Sequence, residues 1–168
     1  MIYFLIIILV FLITFAIGSY SGAPWVPSRK GDVDRFLKLA DIKPGQKVYD
    51  LGCGDGRIVL AAARAGADAT GFEISLLPYL LAQFRRLFLK NKKSCKIYFK
   101  SFWSVDLSDV DVVYLFLMPK KNIRMKKKLE KELKSGAKVI AYVWPIVGWK
   151  PVVTDKKDGE TAIYLYET

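Results

Sequence analysis

Residues 48–63 read "VYDLGCGDGRIVLAAA". An apolar run ends at Leu51 and gives way to three alternate glycines, Gly52, Gly54 and Gly56, with Asp50 and Asp55 beside them. A second apolar run, "GFEI" at 71–74, carries an acid, Glu73, 17 residues beyond Gly56. One glycine marks a turn. Three in alternation mark a main chain that something must approach closely, with no side chain in the way. Strand, glycine loop, helix, then a strand tipped by a carboxylate is the pattern of a ligand-binding βαβ unit.

Outward from that stretch the chain keeps alternating. "KVYDL" (47–51) is predicted as a buried strand, "RIVLAAARA" (57–65) as a helix stopped by Gly66, and "DATGFEI" (68–74) as a second strand. A long helix follows over 76–91, with Pro78 near its first turn, then strands over 95–100 and 111–117. A basic amphipathic helix over about 120–134 presents Ile123, Leu129 and Leu133 as its apolar residues, and 137–144 reads as a fifth strand. Residues 150–167 read as a hairpin turning at Lys157 to Gly159. Ahead of all this, Asp32 is the expected cap of a helix over 33–40. The alternation predicts an α/β fold, a Rossmann-like, doubly wound, mostly parallel sheet ending in an antiparallel hairpin.

The chain has 168 residues, enough for one domain. Residues 2–18 hold no charge, and as a helix they would extend ~26 Å, enough to cross a hydrocarbon core. No basic residue precedes this run, which argues against a cleaved signal peptide, although Ser19 to Ser21 offers a weak cleavage site. No face of it is polar, which argues against a buried core helix. The expected organisation is one transmembrane helix as an anchor over 1–20, a proline-containing linker over 21–31, and a globular domain over 32–168. The first charges after the run are Arg29 and Lys30, which favours a single-pass membrane protein with its domain on the cytoplasmic side.

The formal charge of +11 is unevenly placed. Residues 85–100 carry seven Lys or Arg and no acid, and residues 120–138 carry nine against Glu130 and Glu132. Solvated helix faces account for either block alone; together they suit anionic lipid headgroups beside the anchor. Nucleic acid is the competing partner, disfavoured by the tether. With two cysteines, Cys53 and Cys95, no disulfide framework is expected and a reducing compartment fits. With no histidine, Ser-His-Asp chemistry and His-ligated metals are excluded, and no metal is expected.

At the end of the first strand, Gly52, Gly54 and Gly56 would expose backbone N–H groups to an adenosine-containing ligand, and Glu73 would accept both hydroxyls of its ribose. Dinucleotide loops space glycines as G-x-G-x-x-G; here the third glycine comes one residue early. Asp50 and Asp55 would repel a pyrophosphate but attract an ammonium and a sulfonium. S-adenosyl-L-methionine carries both. Cys53 could serve as a nucleophile, but the two acids near it would raise its thiol pKa, and it reads as a small filler. The alternatives are a structural glycine turn beside a chance glutamate, or a nicotinamide or flavin nucleotide.

"VYDLGCGDGRIVLAAA" with "GFEI" resembles the cofactor signature of class I S-adenosylmethionine-dependent methyltransferases. "PWVPS", "KPGQKVYDLGCGDGRIV", "FWSVDLSDVDVVYLFLMP" and "ELKSGAKVIAYVWPIVGWKP" resemble, more narrowly, the small membrane-anchored protein-lysine methyltransferases, whose mitochondrial members modify the c-subunit of ATP synthase and the adenine nucleotide translocase. The resemblance spans about Pro24 to Pro151. It implies S-adenosyl-L-methionine as cofactor, held by Asp50, Gly52, Cys53, Gly54, Gly56, Glu73, Ser101 and Phe102, and a segment from Pro24 to Pro27 lying over it. Where the family carries an acid before Leu-Trp after the third strand, this chain has Ser101-Phe102-Trp103, so Ser101 or a backbone carbonyl is expected to meet the adenine amino group.

Methyl transfer from a sulfonium is an in-line displacement that needs alignment and a free lone pair on the acceptor. Trp103, in a loop, is the expected wall for a lysine stem, whereas Tyr114 and Phe116, inside a strand, read more readily as core. Asp106, with Asp109 and Asp111 near it, is a candidate to take a proton or attract the acceptor's ammonium. Three functions remain open: transfer to lysines of a membrane-associated protein, transfer to a lipid-like small molecule or RNA, or a non-catalytic cofactor-binding module at the bilayer.

Overall fold

Strand β1 (Lys47–Leu51) runs through the middle of the molecule, pairing in parallel with β2 (Asp68–Glu73) on one side and β4 (Val112–Leu115) on the other. With β3 (Cys95–Phe99), β5 (Lys138–Tyr142), β6 (Val153–Asp155) and β7 (Ile163–Glu167), these strands form one mixed sheet in the order β3-β2-β1-β4-β5-β7-β6. The first five are parallel; β7 lies antiparallel against β5 and carries β6 on its outer edge. The hairpin is therefore inserted backwards, its second strand innermost. The sequence order reverses between β1 and β4, so the crevice of this Rossmann-like α/β sheet opens at the carboxyl ends of those two strands.

The computed structural model describes residues 1–21 and 25–168, with the side chains of Ile7, Ser19 and Ser21 outside that description. Pro24, part of the expected linker and of the expected cover over the ligand, also lies outside the described residues. Helices α2 (Lys30–Ala40), α3 (Arg57–Arg64) and α4 (Leu76–Arg86) bury Phe36, Val59 and Ala82 with Val48 and Ile140 on one face of the sheet. On the other face α5 (Pro119–Glu132) buries Met125 and Leu129 against Val113, Val139 and Tyr166. Removing a fully buried leucine or methionine from water is worth ~1.5–3 kcal/mol, so these two stripes hold the layers together.

Three local expectations change. Helix α2 begins at Lys30, and its cap residue, Arg29, makes no side-chain capping bond. Asp32 lies instead in the first turn, where its carboxylate accepts from the Tyr142 hydroxyl at 2.5 Å and pairs with Arg35. Tertiary partners have taken the group that sequence would assign to the cap. Helix α4 stops at Arg86, whose guanidinium bonds the carbonyls of Cys95 and Lys92. Ile123 on α5 is exposed, while Asn122 and Met125 face inward.

The apolar amino-terminal run forms helix α1 (Ile2–Ser21), with no acid in its first turn and no base in its last. It leans on the start of α4: the Leu76 N–H donates to Thr14 Oγ1 at 3.3 Å. Among the described residues no helix is long and apolar enough to cross a membrane; two positions inside α1, 7 and 19, fall outside that description.

Candidate functional site

The sharp turn from β1 into α3 is made by Gly52, Gly54 and Gly56, with φ of 94°, 53° and 77°. Side-chain-bearing residues seldom adopt such angles, and at Gly54 and Gly56 space is short as well. A β-carbon on Gly54 would stand 2.7 Å from the Trp25 indole, and one on Gly56 3.0 Å from the Ala82 β-carbon and 3.4 Å from its backbone. Gly56 therefore lets α4 pack against the loop, and Gly54 lets Trp25 lie over it.

Glu73, at the tip of β2, fastens this loop. Its Oε2 accepts from the Gly54 N–H at 2.8 Å, and its Oε1 from the N–H groups of Ile74 and Ser75 at 2.8 and 2.7 Å. A carboxylate offers about four lone-pair sites and three are taken, so about one remains, on Oε2, for a ribose hydroxyl instead of the two expected. Asp50, buried in β1, has its carboxyl pushed well above the usual range by burial and then by the charges of Glu73 and Asp55. Burial also acts to raise Asp55, but its bonds to Arg57 and to Arg85 outweigh that and hold it below the usual range. The thiol of Cys53 is pushed up by burial first and by Asp50 and Glu73 next. Gly71 makes room for it, since a β-carbon there would lie 2.7 Å from the Cys53 sulfur. Filler is what this cysteine is.

The cleft at the carboxyl ends of β1 and β4 is lined by Asp50, Gly52, Cys53, Gly54, Glu73, Ser101 and Phe102 from among the residues expected at the cofactor. Gly56 stands behind it, against α4. Ser101 accepts weakly from the Trp103 N–H at 3.4 Å, and the Phe102 ring lies beneath Gly52. Trp103 and Asp106 are not on the cleft wall. The Trp103 ring lies under Arg124, 4.1 Å from its guanidinium carbon, and the Asp106 carboxylate accepts from the Ser108 N–H and hydroxyl, which lower its pKa.

A strap over 25–28 crosses the cleft, overlapping the cover expected over Pro24 to Pro27: Trp25, Val26, Pro27 and, beyond that expectation, Ser28 all line it. Arg57 donates to the Ser28 carbonyl, and the Ser28 hydroxyl meets the Tyr114 hydroxyl at 3.2 Å. The strap covers part of the cleft, between the glycine loop and the end of β4. Buried Trp25 Nε1 has no hydrogen-bond partner among the described residues. A donor left orphaned above the glycine loop is what remains when its acceptor belongs to a ligand. The donor set of this cleft fits adenosine with a cationic amino-acid tail: bare backbone, the ribose-accepting Glu73, and an acid, Asp50, for an ammonium. Further out, Phe116 stacks on Trp144 at 5.9 Å and meets Tyr142 edge-on at 4.8 Å. Trp144 is swung there by a γ-turn: Val143 has φ of 72°, and the Trp144 N–H bonds the Tyr142 carbonyl at 2.9 Å. A β-branched residue at positive φ is strained, and no sequence signal announces it.

Residues 50–153 match the family described as the ANTKMT methyltransferase domain. The chain belongs to this family. It is 38% identical over 150 residues to a protein-lysine N-methyltransferase of Saccharolobus islandicus, a match covering 85% of the chain and 92% of that protein. It is 35% identical to the Rattus norvegicus lysine N-methyltransferase named for the c-subunit of ATP synthase, covering 86% of the chain and 66% of that protein, just under two thirds of its length. Among solved structures, an RNA methyltransferase from Salinibacter ruber in complex with S-adenosyl-L-homocysteine superposes with a TM-score of 0.80 at 32% identity, covering 84% of this chain and 93% of that one. The protein is an S-adenosyl-L-methionine-dependent methyltransferase.

Proposed function

We propose that the acceptor is a lysine side chain of a membrane-associated protein, that α1 is a single-pass anchor, and that the catalytic domain works on the cytoplasmic side. The observation that carries the acceptor is the aromatic cluster that Tyr114 and Phe116, on the cleft wall, make with Tyr142 and Trp144 behind them, which suits an aliphatic stem ending in a cation. The names of the relatives support it, being those of lysine N-methyltransferases of proteins, of the ATP synthase c-subunit and of the adenine nucleotide translocase. For the anchor, Leu5, Leu9 and Leu12 on α1 are each more than half exposed. Each such side chain left in water forgoes ~1.5–3 kcal/mol that a hydrocarbon layer returns.

When bound, S-adenosyl-L-methionine supplies a methyl group carried on a positively charged sulfur. Asp50 would hold the ammonium of its amino-acid end, and Glu73 its ribose. Trp25 closes over both. Lysine must arrive as a neutral amine, and the aromatic wall excludes water and lowers the ammonium's pKa. Tyr114, whose phenol burial raises well above its ordinary value, stays protonated and serves as a hydrogen-bonding wall held by Ser28, not as a base.

RNA is the second reading, favoured by the name of the Salinibacter ruber neighbour and by Lys100 and Arg57 at the cleft. Incubating the purified chain with radiolabelled S-adenosyl-L-methionine and native membranes separates the two. Label in protein, lost when lysines are blocked beforehand, is the expected result. Label confined to RNA or lipid would overturn it.

A further inference from the structure

Helix α4 turns a stripe of large apolar side chains away from the sheet. Leu77, Leu80, Phe84, Leu87 and Phe88 are 47–71% exposed, and their spacing of three and four residues sets them along one side of the helix and its continuing turn. The Phe84 and Phe88 rings meet edge-on at 5.3 Å, so the stripe is packed along itself, and its side chains stay about half or more exposed among the described residues. Monomeric domains seldom leave such a contiguous face to water.

We propose that this face of α4 lies on an anionic bilayer surface, beside the point where α1 enters it. The inference rests on the reading of α1 as an anchor. Three observations choose the bilayer as the occupant. Helix α1 abuts the first turn of α4, with Thr14 bonded to Leu76 and Gly18 packed on Ser75, so the two apolar surfaces meet where the stripe begins. The stripe runs into the exposed Lys90, Lys92 and Lys93, and no acid stands between Glu73 and Asp106. At the end of α1, Lys121 lies 4.7 Å over the Tyr20 ring, which puts a cation at the level where a helix leaves the hydrocarbon. A second copy of the chain would answer the apolar stripe but would press the acid-free basic rims together, whereas anionic headgroups neutralise them.

The consequence is a choice of substrate. Gly18 of α1 and Ser75 before α4 both line the cofactor cleft, so a domain seated on α1 and α4 carries its cleft at the headgroup layer. Lysines just outside the hydrocarbon are then reached, and lysines on soluble proteins are not.

The test uses the full chain with Phe88→Cys carrying an environment-sensitive fluorophore, in vesicles of phosphatidylcholine with a minor share of phosphatidylglycerol. The native cysteines are buried, so background labelling is measured on the unsubstituted chain. A label at Asp158→Cys, on the hairpin, is the aqueous reference. The expected result is several-fold stronger quenching of the Phe88 label by lipids spin-labelled near the headgroup, reduced in pure phosphatidylcholine and in a Leu80→Glu, Phe84→Glu variant. A vesicle-bound chain whose Phe88 label is as open to aqueous quencher as the Asp158 label overturns the seating and leaves the anchor standing. Failure of the chain to bind vesicles overturns both. A label already shielded in a lipid-free dimer assigns the face to a second copy and overturns the proposal.

Discussion

The Glu73 carboxylate bonds the N–H groups of Gly54, Ile74 and Ser75, so removing it strips a partner from two buried donors, one half-buried donor and the ribose at once. Glu73→Ala is expected to weaken S-adenosyl-L-methionine more than about tenfold by calorimetry, a loss above about 1.4 kcal/mol. Asp50 makes affinity depend on pH. Its carboxyl titrates high in the free protein, and a bound ammonium favours the ionised form, so binding expels a proton between the bound-state and free-state values. Affinity should rise with pH through that window and level off above it. Asp50→Asn should flatten the profile. Asp55 works in the opposite sense: its folded pKa lies below the unfolded one, so its stabilisation is complete above the ordinary carboxylate range and disappears as pH falls through the folded value. Asp55→Asn should cost about 2 kcal/mol at neutral pH, and its melting curve should converge with that of the native chain in acid. Each of these carboxylates stood out in the sequence because it flanks or follows the glycines. Arg85, which helps Arg57 hold Asp55, did not, because ion pairing across 30 residues leaves no local pattern.

Among the elements, the strap over 25–28 decides access. Spacing and composition make its residues a proline-containing linker; the family resemblance implied a cover over Pro24 to Pro27, and contacts with Gly54, Arg57 and Tyr114 lay 25–28 across the cleft. Because the strap lies across the cleft, it is expected to lift when the cofactor enters or leaves. Trp25→Ala is expected to raise the cofactor's dissociation rate about tenfold or more in stopped-flow measurements, about 1.4 kcal/mol in the barrier to escape. An unchanged rate would show that the strap rests on the cleft without closing it. The βαβ unit was legible because glycine spacing and strand alternation are local signals. Asp32 was misread as a cap because a tyrosine hydroxyl 110 residues away claims its carboxylate. Trp144 escaped notice for a similar reason: it reaches Phe116 through the strained Val143 turn, a conformation that tertiary packing imposes on an ordinary strand end.

At the scale of the whole molecule, the two ends of the domain are fastened by one side chain. Arg35 of α2 donates to the Asp155 carboxylate and carbonyl and to the Thr161 carbonyl at 2.9 Å each, and pairs with Asp32 at 2.8 Å. Helix α2 continues directly from the strap, while Asp155 and Thr161 flank the tip of the β6–β7 hairpin. That the chain ends in a hairpin was readable from its turn signals; that β7 would slip between β5 and β6, and that an arginine would clasp the tip, was not. Wear at this remote corner is therefore felt at the catalytic mouth. A protease nick between 156 and 159, which touches no residue of the cleft, should slacken the clasp and let bound nucleoside escape faster, much as a loosened hinge pin spoils a latch on the far side of a door.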